Sequence, residues 1–118
     1  MQTITPAKKF ELFQDHWHPR IIGEVNDHQV KLVKFQGPFI WHQHEEDEMF
    51  LVIRGSFVME FRDHQEMLGE GDLIIVPGGI EHRPVADKEV WVMLFEPASI
   101  VNTGDVRNEK TRQDLEWI

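Results

Sequence analysis

The chain has 118 residues, a formal net charge of -9 at pH 7 and no cysteine. Its length predicts one domain with a hydrophobic core of its own. Without cysteine there are no disulfides, thiolate metal sites or cysteine nucleophiles. Because phosphate groups and anionic lipids bind to basic patches, the acidic balance argues against nucleic acid and membrane surfaces as partners. We expect a cytoplasmic protein, since no apolar run approaches the roughly 20 residues of a membrane-spanning helix and residues 1–6 do not resemble a signal peptide.

From Ile21 onward the sequence has the pattern of β-structure. Before it, residues 8–13 predict a short edge strand or a single helical turn. The segments that follow are short, alternating or apolar, and are separated by turns rich in glycine, proline and aspartate, which predicts an all-β sandwich or barrel. The C-terminal arm, residues 105–118, is expected to pack its apolar end on the barrel or on a partner subunit. The predicted strands are residues 30–35, 39–42, 49–53, 57–61, 73–76 and 90–96.

The main functional candidate is the segment Trp-His-Gln-His-Glu-Glu-Asp-Glu at residues 41–48. On an extended strand, His42 and His44 point to the same face. Four carboxylates follow, and periodicity alone leaves the choice among them open, although a strict strand places Glu46 and Glu48 on the histidine face. His82 lies downstream in a turn that contains proline and glycine. Neutral imidazole and carboxylate are preferred ligands of divalent transition metals, so these residues predict a metal site.

His16 and His18 repeat the alternating pattern around Trp17 and are therefore a rival candidate for a metal site. No carboxylate is spaced behind this pair, and Pro19 follows directly. These features favour a loop that is either hydrated or packed against the rest of the chain.

The chain resembles the cupin superfamily, and in particular its small single-domain, cupin-2 type members. The first family motif, G-x5-H-x-H-x3,4-E-x6-G, is matched here except that its first glycine is one residue closer to the histidines. The second motif, G-x5-P-x-G-x2-H-x3-N, is matched except that alanine replaces the asparagine. Together the motifs cover residues 37–86. The matching residues are Gly37, His42, His44, Glu48 and Gly55 in the first motif, and Gly71, Pro77, Gly79 and His82 in the second, with Ala86 at the last position.

This resemblance implies that residues 1–118 form a single cupin domain, a jelly-roll barrel that associates as a homodimer. It implies that His42, His44, Glu48 and His82 hold one divalent metal, which is Fe, Mn, Ni, Co, Cu or Zn. Four protein ligands leave one or two positions open, as catalytic sites do. Glu48 is then also a candidate catalytic base. We expect metal binding to weaken as pH falls through the histidine range, since protonated imidazole cannot ligate.

The substrate pocket is less well defined by the sequence. Arg83 follows His82 directly and is a candidate for binding an anionic substrate, although a hydrated turn arginine is the simpler interpretation of both Arg83 and Arg54. Trp41 and Met93 are candidate pocket walls, because large side chains near the site in sequence line either the pocket or the core.

Two functions remain open. One is a metal-dependent enzyme acting on a small oxygen-rich metabolite, similar to cupin sugar-phosphate isomerases or dioxygenases. The other is a non-catalytic module that binds or senses a small ligand. Thiol dioxygenases with a cysteine–tyrosine crosslink are excluded, because the chain contains neither residue.

Overall fold

Seven strands and one short helix make up the structure, a computed structural model that describes residues 1–118. The all-β prediction is confirmed. Of the two alternatives for residues 8–13, the helical turn is the one observed, and no helix is long enough to cross a membrane. The elements are α1 (Pro6–Phe10), β1 (Arg20–Val25), β2 (His28–Pro38), β3 (Glu48–Arg54), β4 (Phe57–Phe61), β5 (Gln65–Leu68), β6 (Leu73–Val76) and β7 (His82–Pro97).

The longest strand, β7, connects the two parts of the barrel. Its first residues pair with β4, which in turn pairs with β5. Its later residues run between β2 and β3 in an antiparallel sheet of order β1-β2-β7-β3-β6. Register shifts between Phe35 and Gly37 and between Val52 and Arg54 mark the bulges at which strands β2 and β3 change their pairing with β7. Such bulges bend a strand, as the closure of a barrel requires.

The inner face of the sheet forms the main core. Side chains alternate along each strand, so Phe50 and Val52 of β3 point inward, together with Val92 and Leu94 of β7. All four belong to a cluster of 12 buried apolar residues. Burying such side chains is the main source of stability in a domain of this size.

The outer face of the sheet is covered only in part. The ring of Phe10 from α1 stacks on Trp91 with 4.8 Å between ring centroids, and Phe13 and Ile118 pack in the same second cluster. The C-terminal arm is held on β1, where the Ile118 amide donates to the Ile21 carbonyl over 3.0 Å. Both chain ends therefore serve as a lid over one half of this face.

The other half of the outer face is covered less by the chain itself, although the His28 ring stacks on Phe95 at 5.0 Å. Five apolar side chains from β3, β6 and β7 lie next to one another there, because Met49 pairs with both Ile75 and Phe95 and Leu51 pairs with Leu73. None of the five packs against either core cluster. Leu73 is 53% exposed and Ile75 58% exposed. We call Met49, Leu51, Leu73, Ile75 and Phe95 the outer apolar patch.

Candidate metal centre

Two distant segments of the chain meet at the site through their backbones. The His82 amide donates to the His42 carbonyl over 2.9 Å, and the His42 amide donates back to the His82 carbonyl over 3.2 Å. In each residue the ring Nδ1 bonds to the carbonyl two positions earlier, at 2.9 Å to Ile40 and 2.8 Å to Ile80. A carbonyl only accepts, so Nδ1 carries the proton in both rings. The Nε2 lone pairs are thereby left free for a metal.

The third histidine is placed by a loop that two turns clamp from opposite sides. The Gly79 amide donates to the His44 carbonyl over 2.6 Å, and the Asp105 amide donates to the Gln43 carbonyl over 3.1 Å. A Cβ at Gly78 would overlap the carbonyl oxygen of Glu45, and one at Gly104 would overlap that of Gln43. Only glycine allows these turns to approach the loop so closely.

The three histidines converge on a common point, and the Glu48 carboxylate lies beside two of them. Ligand nitrogens of His42, His44 and His82 all lie within 4.8 Å of one another. Glu48 Oε1 lies 3.5 Å from His44 Nδ1 and 3.6 Å from His82 Nε2. Glu46, the other carboxylate that periodicity allowed, lies away from this point and accepts a hydrogen bond from Ser99 Oγ. Glu48 reaches the interior because it begins β3 on the same inward-facing side as Phe50.

The chemistry of these residues fits a divalent transition metal. All four are buried, yet His44 Nε2, Glu48 Oε1 and His82 Nε2 have no hydrogen-bond partner. A buried polar atom without a partner costs roughly 1–3 kcal/mol, so three in one place are unusual. Three imidazole nitrogens and one carboxylate oxygen are also a donor set that suits Fe, Mn, Ni, Co, Cu and Zn.

Burial sets the protonation of the site. It lowers the pKa of His42 to about 3 and that of His44 to about 4, with the neighbouring His82 as a further cause in both cases. The pKa of His82 is also lowered by burial. The rings are therefore neutral at pH 7, as metal ligands must be. The sequence predicted that protons compete with the metal in the pH range where histidine titrates. Burial instead raises the pKa of Glu48 to about 8, so protons are expected to compete with the metal at Glu48.

A small cavity opens beside His42 and Glu48, with a volume of about 30 Å³. Its wall includes Trp17, whose ring stacks between Phe35 and Phe39 at centroid distances of 4.5 and 4.6 Å. Sequence analysis missed Trp17 as a wall residue; the only signal was a large aromatic side chain between two histidines. On the other side of the cluster, His44 borders a wider polar groove that is open to solvent.

The rival metal site is not assembled. His16 Nε2 bonds to Glu89 over 2.8 Å, and His18 Nδ1 bonds to Asp15 over 3.2 Å. Each imidazole thus has its own acidic partner and neither joins the cluster of His42, His44 and His82.

The predicted pocket residues lie away from the cavity. Arg83 donates to Glu60 over 3.0 and 2.6 Å and lies over the ring of Trp41, so its charge is already paired. Trp41 lies beneath arginine side chains and does not line the cavity. Met93 is on the outer face, because its neighbours Val92 and Leu94 point inward. The strand alternation therefore excludes Met93 from the pocket. Arg54 stacks on Trp91, which is also on the outer face.

Two buried charged residues next to the site were not anticipated. Lys31 and Glu96 are 2% and 1% exposed, and Glu96 lies beside Glu48 on the inner face of the sheet. Burial, together with the nearby Glu48, raises the pKa of Glu96 well above its ordinary value. In the sequence, Lys31 is one of two lysines in an alternating strand and Glu96 precedes a proline at a strand end. Neither context indicates burial.

Comparison with known proteins agrees with this fold. The family described as "Cupin domain" matches residues 31–96. This match spans more than half of the chain, and the chain belongs to the cupin family. A crystal structure of a cupin-2 domain protein from Shewanella frigidimarina is 45% identical, with a TM-score of 0.79, and the alignment covers 80% of this chain and 94% of that one. The jelly-roll barrel that the resemblance implied is confirmed.

Sequence relatives include proteins with a named activity. An uncharacterised protein of Bacillus subtilis is 41% identical over 64 residues, which cover 52% of this chain and 57% of that protein. Acireductone dioxygenase of Puccinia graminis is 32% identical over 80 residues, which cover 63% of this chain and 41% of the dioxygenase. This chain therefore spans only about half the length of these relatives or less.

Proposed function

We propose that this protein is a metal-dependent enzyme of dioxygenase type that acts on a small oxygen-rich metabolite. The observation that carries the proposal is the set of buried, unpartnered donor atoms on His44, Glu48 and His82, beside a His42 ring whose Nε2 is left free by the same kind of backbone contact. No purely structural role explains why a fold would keep these atoms together without a ligand. In this proposal all four residues hold one divalent metal.

The similarity to acireductone dioxygenases favours oxygen chemistry over sugar-phosphate isomerisation. Several of these enzymes, including those of Puccinia graminis and Drosophila pseudoobscura, match more than half of this chain at 32–37% identity. A bound metal would polarise a substrate oxygen and stabilise the negative charge that develops on it. The proposed substrate is accordingly a small molecule with neighbouring oxygens, such as an enediol.

The chain's own residues supply the surroundings that such chemistry needs. Phe35, Phe39 and Trp17 wall the cavity and exclude water from the side of His42. Glu48 is the candidate base, because its raised pKa lets the carboxyl exchange a proton near neutral pH. Its approach to the imidazoles also lets it act as a metal ligand.

The alternative is a cupin that binds a small ligand without turnover. The observation in its favour is the size of the cavity, which at about 30 Å³ has room for little more than water. A substrate would have to reach the centre through the groove beside His44 or after the aromatic wall moves.

One set of measurements separates these functions. The purified protein is analysed for metal content, and O₂ uptake is recorded with an acireductone and a panel of related enediols, alongside isomerisation of sugar phosphates. Stoichiometric metal with O₂ uptake supports the dioxygenase. Bound metal with isomerisation but no O₂ uptake supports an isomerase. Bound metal with neither activity supports the ligand-binding module. Absence of metal binding contradicts the proposal altogether.

We further propose that the protein is a homodimer that associates through the outer apolar patch. Monomeric proteins rarely expose contiguous apolar side chains on a flat sheet face. The patch contains no charged residue, so two acidic copies meet there with less repulsion than at other surfaces. Sedimentation velocity gives the oligomeric state directly.

A further inference from the structure

A lysine and a glutamate lie buried directly behind the carboxylate of the proposed metal centre. Lys31 Nζ is 3.7 Å from Glu96 Oε2, and both side chains are almost completely buried. Glu96 is also the cross-strand neighbour of Glu48, which joins this pair to the site. The three residues form a row that leads from Lys31 through Glu96 to Glu48.

The row follows from the register of three strands. Met49 of β3 pairs with Phe95 of β7, so the next residues on the inner face, Glu48 and Glu96, are cross-strand neighbours. Lys31 of β2 pairs with Leu94 and is therefore diagonal to Glu96 on the same face. The fold thus places one cation and two carboxyl groups in the barrel interior.

Such an arrangement is a poor way to stabilise a barrel. Carboxyl groups opposite each other on neighbouring strands repel when both are charged. A buried ion pair can often be replaced by apolar residues of similar volume without loss of stability. Glu96 Oε2 also has no hydrogen-bond partner, since 3.7 Å is too long for one. The position of the row next to the imidazoles indicates a role in the site.

We propose that Lys31 and Glu96 are positioning residues that fix the orientation of the Glu48 carboxylate toward the three imidazoles. The Glu96 side chain lies beside that of Glu48 on the inner face, which leaves Glu48 Oε1 facing His44 and His82. Lys31 in turn holds Glu96. This inference rests on the proposed metal site, because it concerns how well that site is preorganised. Partners of this kind behind metal ligands typically contribute about 10–100-fold to metal affinity.

The test uses Co²⁺ alone as the probe, followed by its visible absorption spectrum. The main variant replaces both residues, Lys31→Met with Glu96→Leu, and is expected to fold as stably as the parent in urea. We expect it to bind Co²⁺ about 10–100-fold more weakly and with an altered visible band. Glu96→Gln keeps a polar side chain of similar shape beside Glu48, so we expect it to keep an affinity and a spectrum close to those of the parent.

The controls separate positioning from a merely structural role. Glu60→Gln removes the carboxylate that Arg83 binds, outside the site, and should leave Co²⁺ binding unchanged. If the double variant folds and binds Co²⁺ like the parent, the positioning role is wrong while the metal site stands. If the double variant does not fold, the Co²⁺ affinities of Glu96→Ala and Glu96→Gln are compared instead. The positioning role predicts that only the alanine variant loses affinity. A parent protein that binds no Co²⁺ overturns the metal site, and this inference with it.

Discussion

The two faces of the central sheet depart from the usual distribution of residues in opposite ways. Along β3, Glu48 points into the barrel while its neighbours Met49 and Leu51 point outward. The interior contains three histidines and a carboxylate with unpartnered polar atoms, and the exterior contains the outer apolar patch. Buried polar groups and exposed apolar groups are the informative exceptions to ordinary burial. The proposed metal would account for the inner exception, and the proposed dimer contact for the outer one.

Energetics explain why neither exception is expected to arise by chance. An unpartnered polar atom inside the barrel lowers stability unless a ligand satisfies it. An apolar side chain left in water does not contribute the free energy that its burial would supply, about 25 cal/mol for each Å². Adjacent residues of one strand show both exceptions, a buried polar group and an exposed apolar group. We therefore propose a different function for each face of the sheet. The following predictions test that division, from the largest expected effect to the smallest.

The inner face should lose its function when one imidazole is removed. We expect His82→Ala to weaken Co²⁺ binding by more than about 100-fold, because losing a ligand removes more than losing its hydrogen-bond partner does. The backbone bonds between His82 and His42 do not involve the ring, so the barrel should persist by circular dichroism. His64→Ala, at an exposed turn histidine, is the matched control. Full metal occupancy in the His82 variant would show that the ligand assignment is wrong.

The metal-free protein should have an unusual dependence of stability on pH. Its buried histidines have lowered pKa values in the folded state, so the unfolded chain binds more protons below about pH 6.5. Stability therefore falls as pH falls toward 4, by up to about 1.4 kcal/mol per pH unit for each histidine. Glu48 and Glu96 have raised pKa values, so the folded state binds more protons above about pH 4.5. These two groups make stability fall as pH rises toward 8.

The two opposing slopes place the stability maximum of the metal-free protein between about pH 5 and 6.5. Urea unfolding in the presence of a chelator, repeated across this range, measures it. Metal binding requires the deprotonated carboxylate, so the gain in stability on adding Co²⁺ should grow between pH 6 and 8. A metal-free protein whose stability climbs steadily to pH 8 would contradict the burial of these carboxyl groups.

The extent to which sequence alone reveals the inner face depends on the kind of residue. The alternating spacing of His42 and His44, with His82 after a proline-glycine turn, was enough to nominate the imidazoles. The strand predicted over residues 39–42 was wrong, because β2 ends at Pro38 and β3 begins at Glu48. Periodicity could not choose between Glu46 and Glu48, because the start of β3 depends on tertiary pairing. The resemblance to cupins supplied that choice. Lys31 and Glu96 were missed because burial of a charged pair depends on which strands become neighbours, and no local pattern records this.

The outer face shows the same limit. An apolar run over residues 49–53 indicates a strand that is covered on both sides. The structure buries the inner side but leaves Met49 and Leu51 only half-buried and outside both core clusters. Met93 was assigned to the pocket from its closeness in sequence, whereas strand alternation places it outside. Sequence periodicity separates two faces, but it does not say which face is inside.

The loop that holds His44 should be sensitive to a single added methyl group. At Gly78 a Cβ would overlap the Glu45 carbonyl oxygen, so Gly78→Ala must push the loop away from the turn. We expect a loss of roughly 1–3 kcal/mol in the free energy of unfolding, as for other overpacked sites. Co²⁺ affinity should fall as well, because the shift disturbs the bond from Gly79 to the His44 carbonyl. Gly69→Ala is the control, since a Cβ there meets only Asp72 at an ordinary 3.8 Å. Equal stability of the two variants would show that the turn at Gly78 does not pack tightly against the loop that holds His44.

A charge placed in the outer apolar patch should disrupt association of the protein and hardly change its folding stability. Ile75 is 58% exposed, so Ile75→Lys should change the free energy of unfolding of the monomer by less than about 0.5 kcal/mol. Two copies of the variant would bring lysines into an uncharged contact, so we expect the dimer to dissociate in sedimentation velocity. Met67→Lys, at a still more exposed position on β5 outside the patch, is the control and should leave the dimer intact. Co²⁺ affinity should be unchanged in both variants, because Ile75 and the imidazoles lie on opposite faces of the sheet. If Ile75→Lys abolished metal binding while the protein stayed folded, the two faces would not be independent, and the division of tasks between them would have to be abandoned.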